Sequence, residues 1–116
     1  MKVVRFDEME EFDTPEGKMR PLFVSKKIAV TYLKIPSGLK VKPHAHPKDG
    51  IIILTKGKIK LNDARLEAHD LAYIPANFEV GMVCEKEAEA ILISVNPEYK
   101  NLDELKSILK KLEHQK

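Results

Sequence analysis

Gly38-Leu39-Lys40-Val41-Lys42-Pro43-His44-Ala45-His46-Pro47-Lys48-Asp49-Gly50-Ile51-Ile52-Ile53-Leu54-Thr55-Lys56-Gly57 is the stretch on which the reading of this chain turns. Pro36, Ser37 and Gly38 break what precedes it, and residues 47–50 interrupt it in the middle. Residues 39–46 read as one strand and residues 51–55 as another. Side chains on a strand alternate with period two, so His44 and His46 are expected on one face. Two neutral imidazoles side by side form half of a transition-metal site. Residues 51–54 are apolar without a break, which predicts a central strand covered on both faces.

Upstream, residues 2–6 predict a short first strand and residues 7–18 an acidic loop marked by Pro15 and Gly17. Residues 19–24 are expected to be extended, with Pro21 favouring an edge or a strand start. Residues 27–35, rich in β-branched and aromatic side chains, carry the clearest strand signal. Downstream, Lys56-Gly57 predicts a tight turn, and residues 58–61 and 65–68 a hairpin around Asn62-Asp63. Residues 71–74 form a short strand stopped by Pro75. Residues 78–84 and 88–95 complete the sheet, joined by a charged turn at Glu85-Lys86-Glu87. About ten short strands, each closed by Gly, Pro or Asn, predict an antiparallel barrel or sandwich.

After Pro97 the period changes. Leu102, Leu105, Ile108, Leu109 and Leu112 fall on one helical stripe, and Asn101 with Glu104 resembles a capping box. Lys106, Lys110 and Lys111 lie toward the C-terminal half, where they suit the helix dipole. The stripe must be buried, either on the outside of its own barrel or on a second subunit. The expected division is a β-barrel over residues 1–97 and an amphipathic helix over residues 98–116, within a single domain.

A chain of 116 residues can bury one core without disulfides. Its formal charge of only +2 offers no basic stripe with interleaved aromatics, so no nucleic-acid partner is expected. Lys56, Lys58 and Lys60 read as the solvated face of a strand. The single Cys84 excludes an intramolecular disulfide and fits a reducing compartment. Asp7 and Glu8 follow the basic residues Lys2 and Arg5 directly, which predicts no signal peptide. No apolar run approaches the roughly 18 residues of a membrane span. A cytoplasmic protein without a membrane partner is expected. Abundant Lys and Glu beside a single Gln and a single Cys resemble the composition of heat-adapted proteins.

The opening stretch resembles the first signature of the cupin superfamily: Gly, five residues, His-x-His, three or four residues, Glu, six residues, Gly. Gly38, His44, His46 and Gly57 fall in register, while the Glu position is occupied by Gly50 or, with the longer gap, by Ile51. The second signature, Gly, five residues, Pro-x-Gly, two residues, His, three residues, Asn, aligns on Pro75. His69 and Asn77 stand for its glycines, Val80 for the metal-binding His and Cys84 for the Asn. The resemblance spans about half the chain. It implies an all-β cupin-type double-stranded β-helix, a jelly-roll barrel, with a C-terminal α-helix. Family-type sites hold a metal with three His and one Glu, so the resemblance implies a degenerate site that keeps His44 and His46 alone.

Asp49 stands one residue early and by alternation points away, unless a β-bulge after Pro47 re-aims it. If Val80 faces inward, Met82 and Cys84 share its face. With the two histidines they would form a soft donor set suited to copper, whereas Met and free Cys are also ordinary core residues. His69 is expected to be exposed at a turn, and His114 lies at the helix end. Tyr32 and Tyr73 could carry hydroxyls into the barrel. No Ser-His-Asp set, glycine-rich phosphate loop or carboxylate pair stands out.

The expected pocket is therefore built from His44, His46, Gly50, Ile52, Val80, Met82 and Cys84. Its histidines anchor a small molecule, with no cofactor or a weakly held divalent transition metal. The alternative is a metal-dependent enzyme, resembling the sugar isomerases or dioxygenases of the superfamily, with Asp49 or Cys84 as an unconventional third ligand. A structural module acting through the helix and the barrel surface is a third reading. A homodimer paired through a sheet edge before Tyr32 is also expected.

Overall fold

Strands β5 (Gly50–Leu61) and β8 (Val80–Val95) are the two longest elements and lie antiparallel to each other, from Gly50 opposite Ser94 to Leu61 opposite Met82. They are the spine of the computed structural model, which describes residues 1–113. Around them stand β1 (Phe12–Thr14), β2 (Gly17–Val24), β3 (Ile28–Ile35), β4 (Lys40–His44), β6 (Ala64–Glu67) and β7 (Leu71–Ile74). The strand order is β1-β2-β3-β8-β5-β6, with β4 on β8 and β7 on β5, and every pairing is antiparallel. The two halves of β8 serve different neighbours: residues 88–95 pair with β3, residues 80–83 with β4. In the same way, residues 50–53 of β5 pair with β7, and residues 58–61 with β6. A sheet whose central strands change partners halfway must fold over on itself, and the result is a jelly-roll barrel.

The bend explains two corrections to the sequence expectations. Lys56-Gly57 is not a turn, and Glu85-Lys86-Glu87 does not separate two strands. Both segments lie inside continuous strands, facing each other across register shifts between Leu54 and Ile59. Polar residues and a glycine there mark bulges, which bend a strand without ending it. Gly57 has φ +88°, and a Cβ on it would overlap the Glu87 carbonyl oxygen. Only glycine lets the two backbones approach so closely. Among the described residues the expected ten or so short strands are accordingly eight.

The N-terminus also departs from expectation. Residues 2–6 form no strand, and Phe6–Glu8 is a short 3-10 turn. The first strand is Phe12–Thr14, because the turn at Pro15 and Glu16 folds it directly onto β2, with Phe12 and Thr14 pointing inward. Pro21 sits beyond the end of β1, at a bulge in β2, where its missing N–H leaves no gap in a ladder.

Inward residues of all these strands form one apolar cluster that includes Phe12, Leu33, Ile35, Leu54, Ile59 and Cys84. Helix α1 (Leu102–Glu113) adds Leu105 and Leu109 to it and packs against β1 and β2. Its start is fixed by Asn101 Oδ1, which accepts from the Glu104 N–H, while Glu104 reaches back to the Lys100 N–H. Among the described residues no helix is long and apolar enough to cross a membrane.

Candidate functional site

His44 is the last residue of β4, opposite Val80 of β8. His46 lies beyond the strand, so period-two alternation does not set its direction. Pro43 and a register shift between Val41 and His44 end the pairing early. The two rings nevertheless meet, because the loop that carries His46 is pinned from the other side. The Asn77 N–H donates to His46 O at 2.7 Å, the Ala76 N–H to Asp49 Oδ1 at 2.8 Å, and the Val95 N–H to Asp49 O at 3.0 Å. The imidazoles stand edge to face, centroids 4.8 Å apart, with their Nε2 atoms 3.1 Å apart.

His44 Nδ1 lies 2.9 Å from the Lys42 carbonyl oxygen. A carbonyl only accepts, so the proton of that contact belongs to Nδ1, and Nε2 is the atom offered to the site. Against Nε2 lies a second group that no motif announces: Glu16 Oε1, at 3.1 Å. Glu16 comes from the β1–β2 turn, where Thr14 Oγ1 accepts from the Glu16 N–H and donates to Gly17 O. Gly17, with φ +116°, makes that turn possible against the Lys34 carbonyl. Glu16, His44 and His46 thus form a chain whose contacts both run through His44 Nε2.

These three residues edge a cavity of about 430 Å³. Its walls are aliphatic: Val41, Ile52, Leu61, Ile74, Val80, Met82 and Leu92 from the strands, Leu105, Ile108, Leu109 and Leu112 from the helix. A volume of this size suits a small organic molecule. Six of the seven residues expected in the pocket, His44, His46, Gly50, Ile52, Val80 and Met82, line it. Cys84 does not. It is 1% exposed, and its thiol donates to Lys86 O at 3.2 Å and to Ile35 O at 3.6 Å. Burial pushes that thiol above its ordinary pKa, which keeps it a core residue rather than a thiolate ligand.

Asp49 does border the cavity, but its carboxylate caps the turn after Pro75 and accepts from the Tyr73 hydroxyl, raising the Tyr73 pKa. Neither Tyr73 nor Tyr32 enters the barrel: both lie on its outer face, Tyr73 exposed and Tyr32 bonded to Glu89 at 2.6 Å. His69 is exposed in the β6–β7 turn, and His114 lies outside the described residues. Nothing in the sequence marks Glu16 or the helix wall as part of the site. The helical stripe was legible, its seat over the cavity was not, and Glu16 carries no local signal.

A metal centre of the superfamily type needs a carboxylate and a third imidazole beside His44 and His46. The residues present do not fit it. Gly50 has no side chain and Asp49 is already bonded to the Ala76 N–H, so Glu16 is the one carboxylate at the pair, and with Val80 offering only carbon no third imidazole joins it. Among the described residues no group of three or more His, Cys, Asp or Glu side chains is disposed to hold a metal ion.

The barrel with its folded-over β5 and β8 is the cupin fold. An RmlC-like cupin from Shewanella frigidimarina NCIMB 400 superposes with TM-score 0.77 at 19% identity, over 84% of this chain and 94% of that one. KdgF from Halomonas sp. gives 0.74 at 21%, over 84% and 96%. The polyketide cyclase RemF from Streptomyces resistomycificus gives 0.71 at 16%, over 88% and 85%. Identities of this size carry the fold and nothing finer. No family model and no curated protein matches the sequence.

Proposed function

We propose that this protein binds a small, mostly apolar molecule inside the barrel, with His44 and His46 gripping its polar end. One observation carries the reading. The cavity wall is aliphatic on strands and helix alike, whereas His44, His46 and Glu16 meet at one place on its edge. An apolar body then contributes the hydrophobic share of affinity, and a few placed polar groups fix orientation. A ligand bearing a hydroxyl or an N–H would find an acceptor at His44 Nε2, whose own ring proton sits on Nδ1. Glu16 would in turn accept from any donor the ligand carries.

The test is a thermal-shift screen of small organic acids, alcohols and ketones against the wild type and His44→Ala/His46→Ala. Compounds that raise the wild-type midpoint are expected to lose at least about tenfold in affinity, about 1.4 kcal/mol, in the double variant. Unchanged binding by the variant would end the assignment. The rival reading, a metal-dependent enzyme, is separated in the same assay. Manganese, iron, copper, nickel or zinc is expected to leave the midpoint where it is, since two imidazoles alone chelate weakly. A saturable rise at one equivalent of metal would favour the enzyme.

A further inference from the structure

The polar corner of the cavity is short of hydrogen-bond donors. Lys42 O holds the His44 ring proton on Nδ1, so His44 Nε2 presents a lone pair. Two atoms stand 3.1 Å from it. His46 Nε2 can meet the lone pair with a proton, since a neutral imidazole carries one. Glu16 Oε1 cannot, because an ionised carboxylate only accepts. The carboxylate oxygen therefore lies against a nitrogen that has no hydrogen to give it. Among the described residues no other side chain donates to that oxygen. Glu16 is held in this place by its turn: its N–H donates to Thr14 Oγ1 at 3.2 Å, and Thr14 is 1% exposed.

Charge along the cavity wall has the same sign. Three carboxylates line it, Glu16, Asp49 and Glu98, against one ammonium, that of Lys48. Among the described residues neither Lys48 nor Glu98 makes an ion pair. The whole chain carries +2, so the excess of carboxylate here runs against the balance of the molecule. Aliphatic walls of low dielectric concentrate such a field. A carboxylate ligand would be repelled, and a hydroxyl has one hydrogen for two acceptors.

We infer that the cavity takes a primary aliphatic amine, bound as its ammonium ion, with the alkyl body among the aliphatic side chains and the nitrogen between Glu16 Oε1 and His44 Nε2. The inference rests on the reading of the cavity as a ligand site and adds the chemical class. An ammonium has three N–H donors and no acceptor, the complement of a corner made of acceptors. Bonds between an ammonium and a carboxylate are charge-assisted, roughly twice as strong as neutral ones. Glu16 and His44 stand half-buried at the cavity edge, so the cation is paired there without giving up all of its water.

Isothermal titration at about pH 8 tests it, where ordinary imidazoles are neutral and an alkylamine is protonated. The probes are n-hexylamine, 1-hexanol and hexanoate, which share one body and differ in the polar end. Hexylamine is expected to bind at least about tenfold more tightly than hexanol, and hexanoate more weakly than either. Glu16→Gln keeps the shape and removes the charge. It should cost hexylamine about tenfold and change hexanol by less than about twofold. Lys48→Gln removes the opposing cation and should tighten hexylamine by about twofold. Lys48 is exposed, so this variant folds even where Glu16→Gln does not. Hexylamine no tighter than hexanol would overturn the inference. So would an amine affinity unchanged by Glu16→Gln in a folded variant, or one weakened by Lys48→Gln. Where hexanol then still binds, and loses affinity in His44→Ala/His46→Ala, the ligand site stands and only its class is wrong. Where none of the three compounds binds, both fall.

Discussion

Tyr32 shows how one side chain joins the outer face to its charged border. Its hydroxyl donates to Glu89 Oε1 at 2.6 Å while the ring packs against Phe6, which in turn lies 4.1 Å from the Arg20 guanidinium carbon. Burial first, and the Glu89 bond second, hold the Tyr32 pKa well above its ordinary 10.0. The folded chain therefore keeps a proton that the unfolded chain releases, so this contribution is whole below pH 10.0 and declines as pH climbs above it. Tyr32→Phe is expected to lower stability by about 1 kcal/mol at neutral pH, the net worth of one such hydrogen bond. It should also flatten the loss of stability in the alkaline range. Urea titrations of both proteins at pH 7 and at alkaline pH measure this, and parallel pH profiles would contradict the assignment. At the site, His44 shows the same economy: Nδ1 is fixed by its own backbone two residues back, which leaves Nε2 free to face Glu16 and His46.

The barrel depends on two strands bending without breaking. Gly57 sits where β5 crosses the Glu87–Ala88 backbone of β8, at positive φ and with no room for a methyl group. Gly57→Ala is expected to cost about 3 kcal/mol or more, from the strained φ together with the backbone overlap. A thermal midpoint lower by about 10 °C would register it, and an unchanged midpoint would mean that the crossing is looser than described. The same place marks the limit of what the sequence discloses. Residues 28–35, the Asn62-Asp63 hairpin, residues 71–74 and the Asn101–Glu104 cap were legible, because each is decided by propensity, turn chemistry or capping within a few residues. Lys56-Gly57 and Glu85-Lys86-Glu87 read locally as turns, and only the partner strand shows that they are bulges. Residues 2–6 carry β propensity but find no partner, whereas Phe12–Thr14 gains one from the adjacent turn. Glu16 was illegible for a related reason: its role rests on a contact with His44, 28 positions along the chain.

At the scale of the whole molecule, two apolar surfaces face in opposite directions. The inner one is closed by the helix, whose Leu105 and Leu109 are at most 5% exposed over the cavity. The outer one, formed by Ile51, Ile53, Ile91 and Ile93 with the exposed Leu71 and Tyr73, lies on the opposite side of the sheet. The His-x-His pair was legible as a pocket element, although the loop and not strand alternation turns the rings together. The central claim is that this pair is the polar anchor of a ligand held in the barrel. Long-range proton–nitrogen correlation of the histidine side chains, recorded while a compound from the thermal-shift screen is titrated in, addresses it directly. The account predicts that His44 reports a protonated Nδ1, that the Nε2 signals of His44 and His46 move in a saturable way, and that His69 stays still. Movement at His69 alone, or binding that leaves both ring signals of the pair unchanged, would contradict it.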